Sequence, residues 1–200
     1  MSAETTPADG PGHPAGRADE AIQGLEKRLA DCERVLGPDH PDTLRSRNNL
    51  ASAYQAAGHT PEAIRLHEQT VADRERVLGP DHPDTLNSRN NLASAYQAAG
   101  RAPEAVLLLE RTLADFERVL GTDHPWTLSS RNNLAVSYRT AGRAPEAIPL
   151  HEQTLADRER VLGLDHPTSK LVRNNLAWVT AQQPYGDSGR KTGKRQWFRR

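Results

Sequence analysis

The segment Arg89–Gly100 reads RNNLASAYQAAG and recurs along the chain with little change. Its copies begin at Arg47, Arg131 and Arg173, so successive copies are spaced by 42 residues. A fixed period of this size is typical of arrays in which small units stack on one another, because each unit then meets the same surroundings as the previous one. The sequence therefore predicts a solenoid rather than a closed globular core.

Each period contains two helical segments, and the second is clearest in the third copy. Ala105, Val106, Leu109, Leu113 and Phe116 recur at steps of three and four residues, which places them on one face of a helix. A proline near the start and a glycine after the end favour a helix over 103–120. The equivalent segments are 19–36, 61–78 and 145–162, and we call these four the B helices.

The first segment of each period follows a Pro-Asp-His-Pro loop or a variant of it. In the clearest copy the second proline of the loop, Pro83, opens a helix that reaches about Ala99 and stops at Gly100. Leu92 and Tyr96 mark its buried side. We call these segments the A helices. The order B, A–B, A–B, A–B, A predicts an all-α chain of about eight helices.

The chain divides into three predicted regions. Residues 1–17 are rich in Pro, Gly and Ala without apolar periodicity, which predicts a disordered leader. Residues 184–200 form a basic tail, also predicted to be disordered. The array lies between them and comprises a half repeat (18–37), three repeats (38–79, 80–121, 122–163) and a degenerate final helix (164–183).

Composition limits the classes of function. Lys+Arg and Asp+Glu both number 26, so no net charge favours nucleic acid or membranes as a partner. The weak exception is the tail, whose basic residues accompany Trp197 and Phe198 and suit nucleic acid or an acidic surface. The single cysteine, Cys32, fits a reducing compartment. Without an apolar leader or an 18-residue apolar run, the chain is predicted to be cytoplasmic and not membrane-bound.

The order Leu92, Ala93, Tyr96, Gly100, Ala105 resembles the tetratricopeptide repeat. The phrases LGPDHPDTL and NNLA resemble the 42-residue variant of kinesin light chains and many bacterial repeat proteins. This resemblance implies a right-handed superhelix of antiparallel helix pairs, with the A helices lining a concave groove. It also implies a protein- or peptide-binding scaffold that has no catalytic activity and needs no cofactor.

Some residues depart from the family pattern. Arginine occupies the position of a large aromatic residue early in each A helix (Arg47, Arg89, Arg131, Arg173). His67 and His151 likewise replace an aromatic residue in two B helices. These changes predict a thinner core and modest stability. Pro149 lies inside a predicted B helix, where its missing N–H predicts a local kink.

Uncharged polar side chains repeat on a second side of the A helices and are the candidate groove residues. An amide offers both a donor and an acceptor, which suits the backbone of an extended peptide. The same amides are also able to bond neighbouring helices and fix their stacking, so both interpretations stand. The candidates are Asn48, Asn49, Ser52, Asn90, Asn91, Ser94, Gln97, Asn132, Asn133, Val136, Arg139, Asn174, Asn175 and Trp178.

The candidate groove becomes more apolar toward its C-terminal end. The position held by Ser52 and Ser94 is occupied by Val136 and then by Trp178. We expect an elongated ligand whose apolar side chain meets Val136 and Trp178, with Arg139 as a carboxylate partner. In the alternative interpretation, Trp178 packs against the tail or against a missing final helix.

Other kinds of site are disfavoured. The histidines of the four Asp-His-Pro triplets lie one repeat apart, so two helix layers separate each from the next and no single metal ion reaches two of them. We expect them to end one helix and cap the next. Two further hypotheses compete with a free-standing scaffold: a regulatory module of a bacterial signalling system, and self-association into a homo-oligomer through the incomplete array ends.

Overall fold

The computed structural model describes residues 14–182, which form eight α-helices in the predicted order. The helices are α1 (Pro14–Leu36), α2 (Pro41–Ala56), α3 (Thr60–Leu78), α4 (Pro83–Ala98), α5 (Ala102–Leu120), α6 (Pro125–Thr140), α7 (Ala144–Leu162) and α8 (Pro167–Ala181). The A helices are therefore α2, α4, α6 and α8, and the B helices are α1, α3, α5 and α7. Helix α1 begins inside the range assigned to the leader; residues 1–13 and 183–200, which include the basic tail, lie outside the described residues.

The repeated histidines begin the A helices. His40, His82, His124 and His166 are the N-cap residues, and Nδ1 of each accepts a hydrogen bond from the backbone N–H two residues later. This bond satisfies one of the amide groups that the first helical turn leaves without a partner. The prediction that the triplets cap helices is confirmed.

The glycine after each B helix takes a conformation that other residues adopt rarely. Gly79 has φ 91° and ψ 160°, and Gly121 has φ 85° and ψ 166°. The positive φ was expected from the sequence, but ψ is extended rather than left-handed helical. The chain therefore leaves the B helix at once, and the Gly79 carbonyl accepts a hydrogen bond from Thr85 Oγ1 at 2.9 Å.

Small residues allow the helices to pack closely. Ala51, Ala93 and Ala135 of the A helices, and Ala63 and Ala105 of the B helices, are fully buried. Around them lie two apolar clusters, one centred on α4, α5 and α6 and the other on α1, α2 and α3. Each helix packs against the helix before it and the helix after it, which gives antiparallel pairs in sequence.

The array curves toward the A helices. Each A helix contacts the next A helix, whereas within residues 14–182 no two B helices touch. Helices that approach one another lie on the inner side of a bend, so the A helices form the concave face. Helix α7 runs from Ala144 to Leu162 through Pro149 without interruption, and the kink expected there stays a prediction.

Charged residues replace buried ones on the outer faces of the terminal helices. Arg28 of α1 stands at the position of Thr70, which is fully buried in its own repeat. Lys170 of α8 stands at the position of Leu128, which is also buried. Stacking a second copy on these positions would bury two charges, which is unfavourable. Self-association through the ends stays a prediction.

Candidate functional site

The arginine near the start of α2, α4 and α6 joins three helices. Arg131 of α6 is only 1% exposed, and it pairs with Glu117 of α5 at 2.9 Å and with Asp157 of α7 at 2.7 Å. Arg47 repeats the arrangement with a carboxylate on each side. For Arg47 and Arg131 the expectation of a thinner core is wrong, because each side chain is buried and its charge is neutralised between two neighbouring B helices.

Among the described residues, the arginine at the C-terminal end of the array has no second carboxylate partner. Arg173 of α8 pairs with Glu159 of α7 at 2.5 Å, and its side chain is 44% exposed. It therefore stands at the same repeat position as Arg131 but in a surface environment. Comparing Arg131 with Arg173 therefore shows how much the buried arginine contributes to the free energy of unfolding.

Amide side chains join successive A helices along the concave face. Asn91 Nδ2 donates to Asn48 Oδ1 at 3.0 Å, and Asn175 Nδ2 donates to Asn132 Oδ1 at 3.3 Å. The corresponding bond between α4 and α6 is not made, since the buried Oδ1 of Asn90 has no partner in the protein. The structure thus shows that part of the amide ladder bridges helices.

Glutamines bridge the same helices one turn further on. Gln55 Nε2 donates to Ser94 Oγ at 3.1 Å. Gln97 Nε2 donates to the Asn133 carbonyl at 3.2 Å and to the hydroxyl of Ser137. These bonds use atoms that sequence reasoning had assigned to a ligand, and they fix the spacing of the A helices.

The fourteen candidates differ in how accessible they are. Asn90 and Asn132 are 7% and 8% exposed, so neither presents a free amide to solvent. Asn49, Ser52, Asn174 and Trp178 are exposed, and the other candidates are half-buried. The concave face therefore consists of helix-bridging amides below an outer row of accessible side chains. Between α2 and α4 lies a groove of about 410 Å³, which is lined by Ser52, Gln55, Ala56, Asn91, Ser94 and Ala98.

The C-terminal end of this face is apolar and accessible. Trp178 of α8 is 47% exposed, and the Arg139 guanidinium of α6 lies over its ring at 4.2 Å from the centroid. Leu171, seven residues before Trp178 on the same side of α8, is 52% exposed. Sequence reasoning missed Leu171, although Arg45, Asn87 and Ser129 at its repeat position are all polar and signal the change.

Comparison with known proteins identifies the repeats. Matches to the tetratricopeptide repeat family cover residues 15–42, 43–84, 91–159 and 132–184. The chain is a tetratricopeptide repeat protein. No curated protein matches it significantly. Tetratricopeptide repeats are generally protein-interaction modules and typically non-catalytic.

Solved structures agree with this family. A putative kinesin light chain of Podosopora anserina with nearly identical TPR-like repeats is 38% identical, with a TM-score of 0.70 over 83% of this chain and 79% of that chain. A point variant of that protein gives 37% identity and a TM-score of 0.71, covering 83% and 78%. BtubC (BKLC) of P. vanneervenii, at 22% identity and a TM-score of 0.71 over 83% and 66%, shares the fold.

Neither a metal cluster nor a membrane-spanning helix is present among the described residues of the tetratricopeptide array. Within 14–182 no three His, Cys, Asp or Glu side chains gather closely enough to hold a metal ion. None of the eight helices is both long and apolar enough to span a bilayer.

The two interpretations of the amides predict different effects of substitution. Replacing the bridging Asn91 by alanine removes the bond to Asn48, and we expect a loss of about 1 kcal/mol of unfolding free energy. Replacing the exposed Asn49 should change it by less than about 0.5 kcal/mol. Urea unfolding followed by circular dichroism measures both, and equal losses would contradict this division of roles.

Proposed function

We propose that this protein is a non-enzymatic cytoplasmic scaffold whose concave face binds an extended peptide segment of a partner protein. The observation that carries the proposal is the pairing of an accessible polar row with an apolar end on one continuous face. Asn49 and Ser52 supply hydrogen-bonding groups near α2, and Leu171 and Trp178 supply exposed apolar area on α8.

The chemistry of the face suits a peptide with a polar stretch and one large apolar side chain. Amide and hydroxyl groups satisfy backbone donors and acceptors without demanding a charge on the ligand. An apolar side chain placed against Leu171 and Trp178 would remove their exposed surface from water, which favours binding. Arg139, held against Trp178, keeps a positive charge beside that position and favours a neighbouring carboxylate on the ligand.

The decisive substitution is Trp178→Ala, tested with a peptide selected from a random library for binding to the native protein. We expect the dissociation constant to rise about 30-fold, the effect of losing about 2 kcal/mol at an aromatic hot spot. Fluorescence anisotropy of the labelled peptide measures the change.

Trp126→Ala is the matched control, because Trp126 is 37% exposed but lies at the start of α6 near His124, away from the apolar end on α8. Its substitution should leave affinity unchanged. If Trp178→Ala bound the peptide as tightly as the native protein did, the apolar end would not be part of the site. If both substitutions weakened binding equally, loss of folding rather than loss of contact would be the cause.

A further inference from the structure

Two B helices carry a buried histidine where the other two carry leucine. His67 of α3 and His151 of α7 are fully buried, and within residues 14–182 neither ring nitrogen of either residue has a hydrogen-bond partner. The same repeat position holds Leu25 in α1 and Leu109 in α5. The polar and apolar layers therefore alternate along the array.

The same two helices carry a second unusual residue, seven positions later on the same face. Arg74 of α3 is buried and donates at 2.7 Å to the Asp84 carbonyl and to Ser88 Oγ, both of α4. Arg158 of α7 donates at 3.2 Å to the Thr168 carbonyl of α8. Among the described residues neither forms a salt bridge. Helices α3 and α7, which carry the buried histidines, thus each already contain one buried cation held by neutral groups.

We propose that α3 and α7 are acid-sensitive layers: protonation of His67 and His151 releases these helices from their neighbours while the apolar centre formed by α4, α5 and α6 stays packed. A protonated imidazole at these positions would be a buried cation without a partner, which is strongly unfavourable. Release of the helix exposes the ring to water and removes the cost.

The charged groups in the interfaces of α3 are already held by other residues. Helix α3 packs against α2 and α4. Arg47 of α2 is paired with Asp73, and the Asp84 carbonyl of α4 holds Arg74. Burial alone lowers the pKa of His67 to about 4. No neighbouring charge in the described part of the chain contributes to this shift, so a protonated His67 would be a buried cation without a counter-ion.

The surroundings of His151 oppose its charge further. Helix α7 packs against α6 and α8. Burial, together with the positive charge of Arg139 on α6, lowers the pKa of His151 to about 4. Arg131 on α6 pairs with Asp157, and Arg173 on α8 pairs with Glu159, so these two carboxylates of α7 are already paired.

The direction of the pH effect follows from these values. An exposed histidine has its ordinary pKa of 6.5, so between about 6.5 and 4 the released form binds a proton that the packed form excludes. Opening is therefore favoured as pH falls through this window. For one such site the opening equilibrium should rise roughly 20-fold between pH 7 and pH 5.

Hydrogen exchange of the full chain, followed by mass spectrometry at pH 7 and pH 5 and corrected for intrinsic rates, tests the proposal. Protection in α3 and α7 should fall roughly 20-fold relative to α5. The double variant His67→Leu/His151→Leu, which copies Leu25 and Leu109, should abolish that difference. Leu109→His should make α5 respond as well.

The control is His59→Arg, because His59 is exposed and the equivalent positions hold Arg101 and Arg143. This variant should keep the native pH response. The capping histidines begin every A helix, so their protonation would loosen all layers alike. A uniform loss of protection, or a pH response that survives in the double leucine variant, would overturn the proposal.

Discussion

Replacing Arg131 by alanine is expected to lower the free energy of unfolding by about 3 kcal/mol. The side chain is buried and links α5, α6 and α7 through Glu117 and Asp157. Its loss therefore opens a cavity and removes both ion pairs. This loss of stability is at the lower end of the range for breaking a buried ion pair, because both carboxylates are partly exposed to water. Urea unfolding followed by circular dichroism measures the effect.

Arg173→Ala provides the control for this prediction. The residue occupies the same repeat position, but it is half exposed and has one carboxylate partner, so the expected loss is at most about 1 kcal/mol. Similar losses for the two substitutions would show that burial between two B helices adds nothing to the stability of the array.

Replacing Phe116 by alanine is expected to cost about 3–5 kcal/mol. Phe116 is fully buried in α5, and its ring lies 6.4 Å from that of Trp126. Since each layer of the array is stabilised by its immediate neighbours, a cavity in the central layer weakens the contacts on both sides. The urea concentration at the midpoint of unfolding should therefore fall.

Trp126→Ala removes the other ring of this contact from a partly exposed position, and we expect a loss of only about 1 kcal/mol. The positions equivalent to Phe116 in the other three B helices hold Cys32, Arg74 and Arg158. Helix α5 therefore has the largest apolar side chain at this position. A loss for Phe116→Ala no greater than for Trp126→Ala would contradict the role of α5 as the apolar centre.

The sequence was sufficient to predict the helices and their ends. The apolar period around Leu109 and Leu113, the proline at Pro83 and the glycine at Gly121 each act within one or two helical turns. Local steric and hydrogen-bonding preferences therefore determine these features. The four histidine caps were predictable for the same reason, because each bond joins residues two apart.

The interactions between layers were not predictable in this way. The carboxylates that hold Arg131 lie 14 residues before it and 26 residues after it, and only the packed array brings them together. An arginine at an aromatic position therefore suggested a gap where the structure has an ion cluster. The role of the amides was equally hard to predict, because the Asn91 side chain is able to hydrogen-bond either a ligand or Asn48. Only the spacing of α2 and α4 in the folded array determines that it bonds Asn48.

The candidate groove residues differ in exposure. Trp178 of α8 is exposed, whereas Asn90 and Asn132 are buried. The groove as a binding site stays a prediction. Leu171 was missed as a single leucine in a degenerate repeat, although polar residues hold the equivalent positions of the other repeats and signal the change. The concave row of accessible residues is accordingly shorter and more apolar at its end than the repeat pattern alone indicated.

The most direct test of the account is an NMR titration of the isotope-labelled protein with the library-selected peptide. The backbone amides of α2, α4, α6 and α8, the side-chain amides of Asn49 and Asn174, and the indole N–H of Trp178 should shift together. The B helices α3 and α5 should stay unchanged. Shifts confined to the B helices, or to α1 alone, would contradict a binding surface on the concave face.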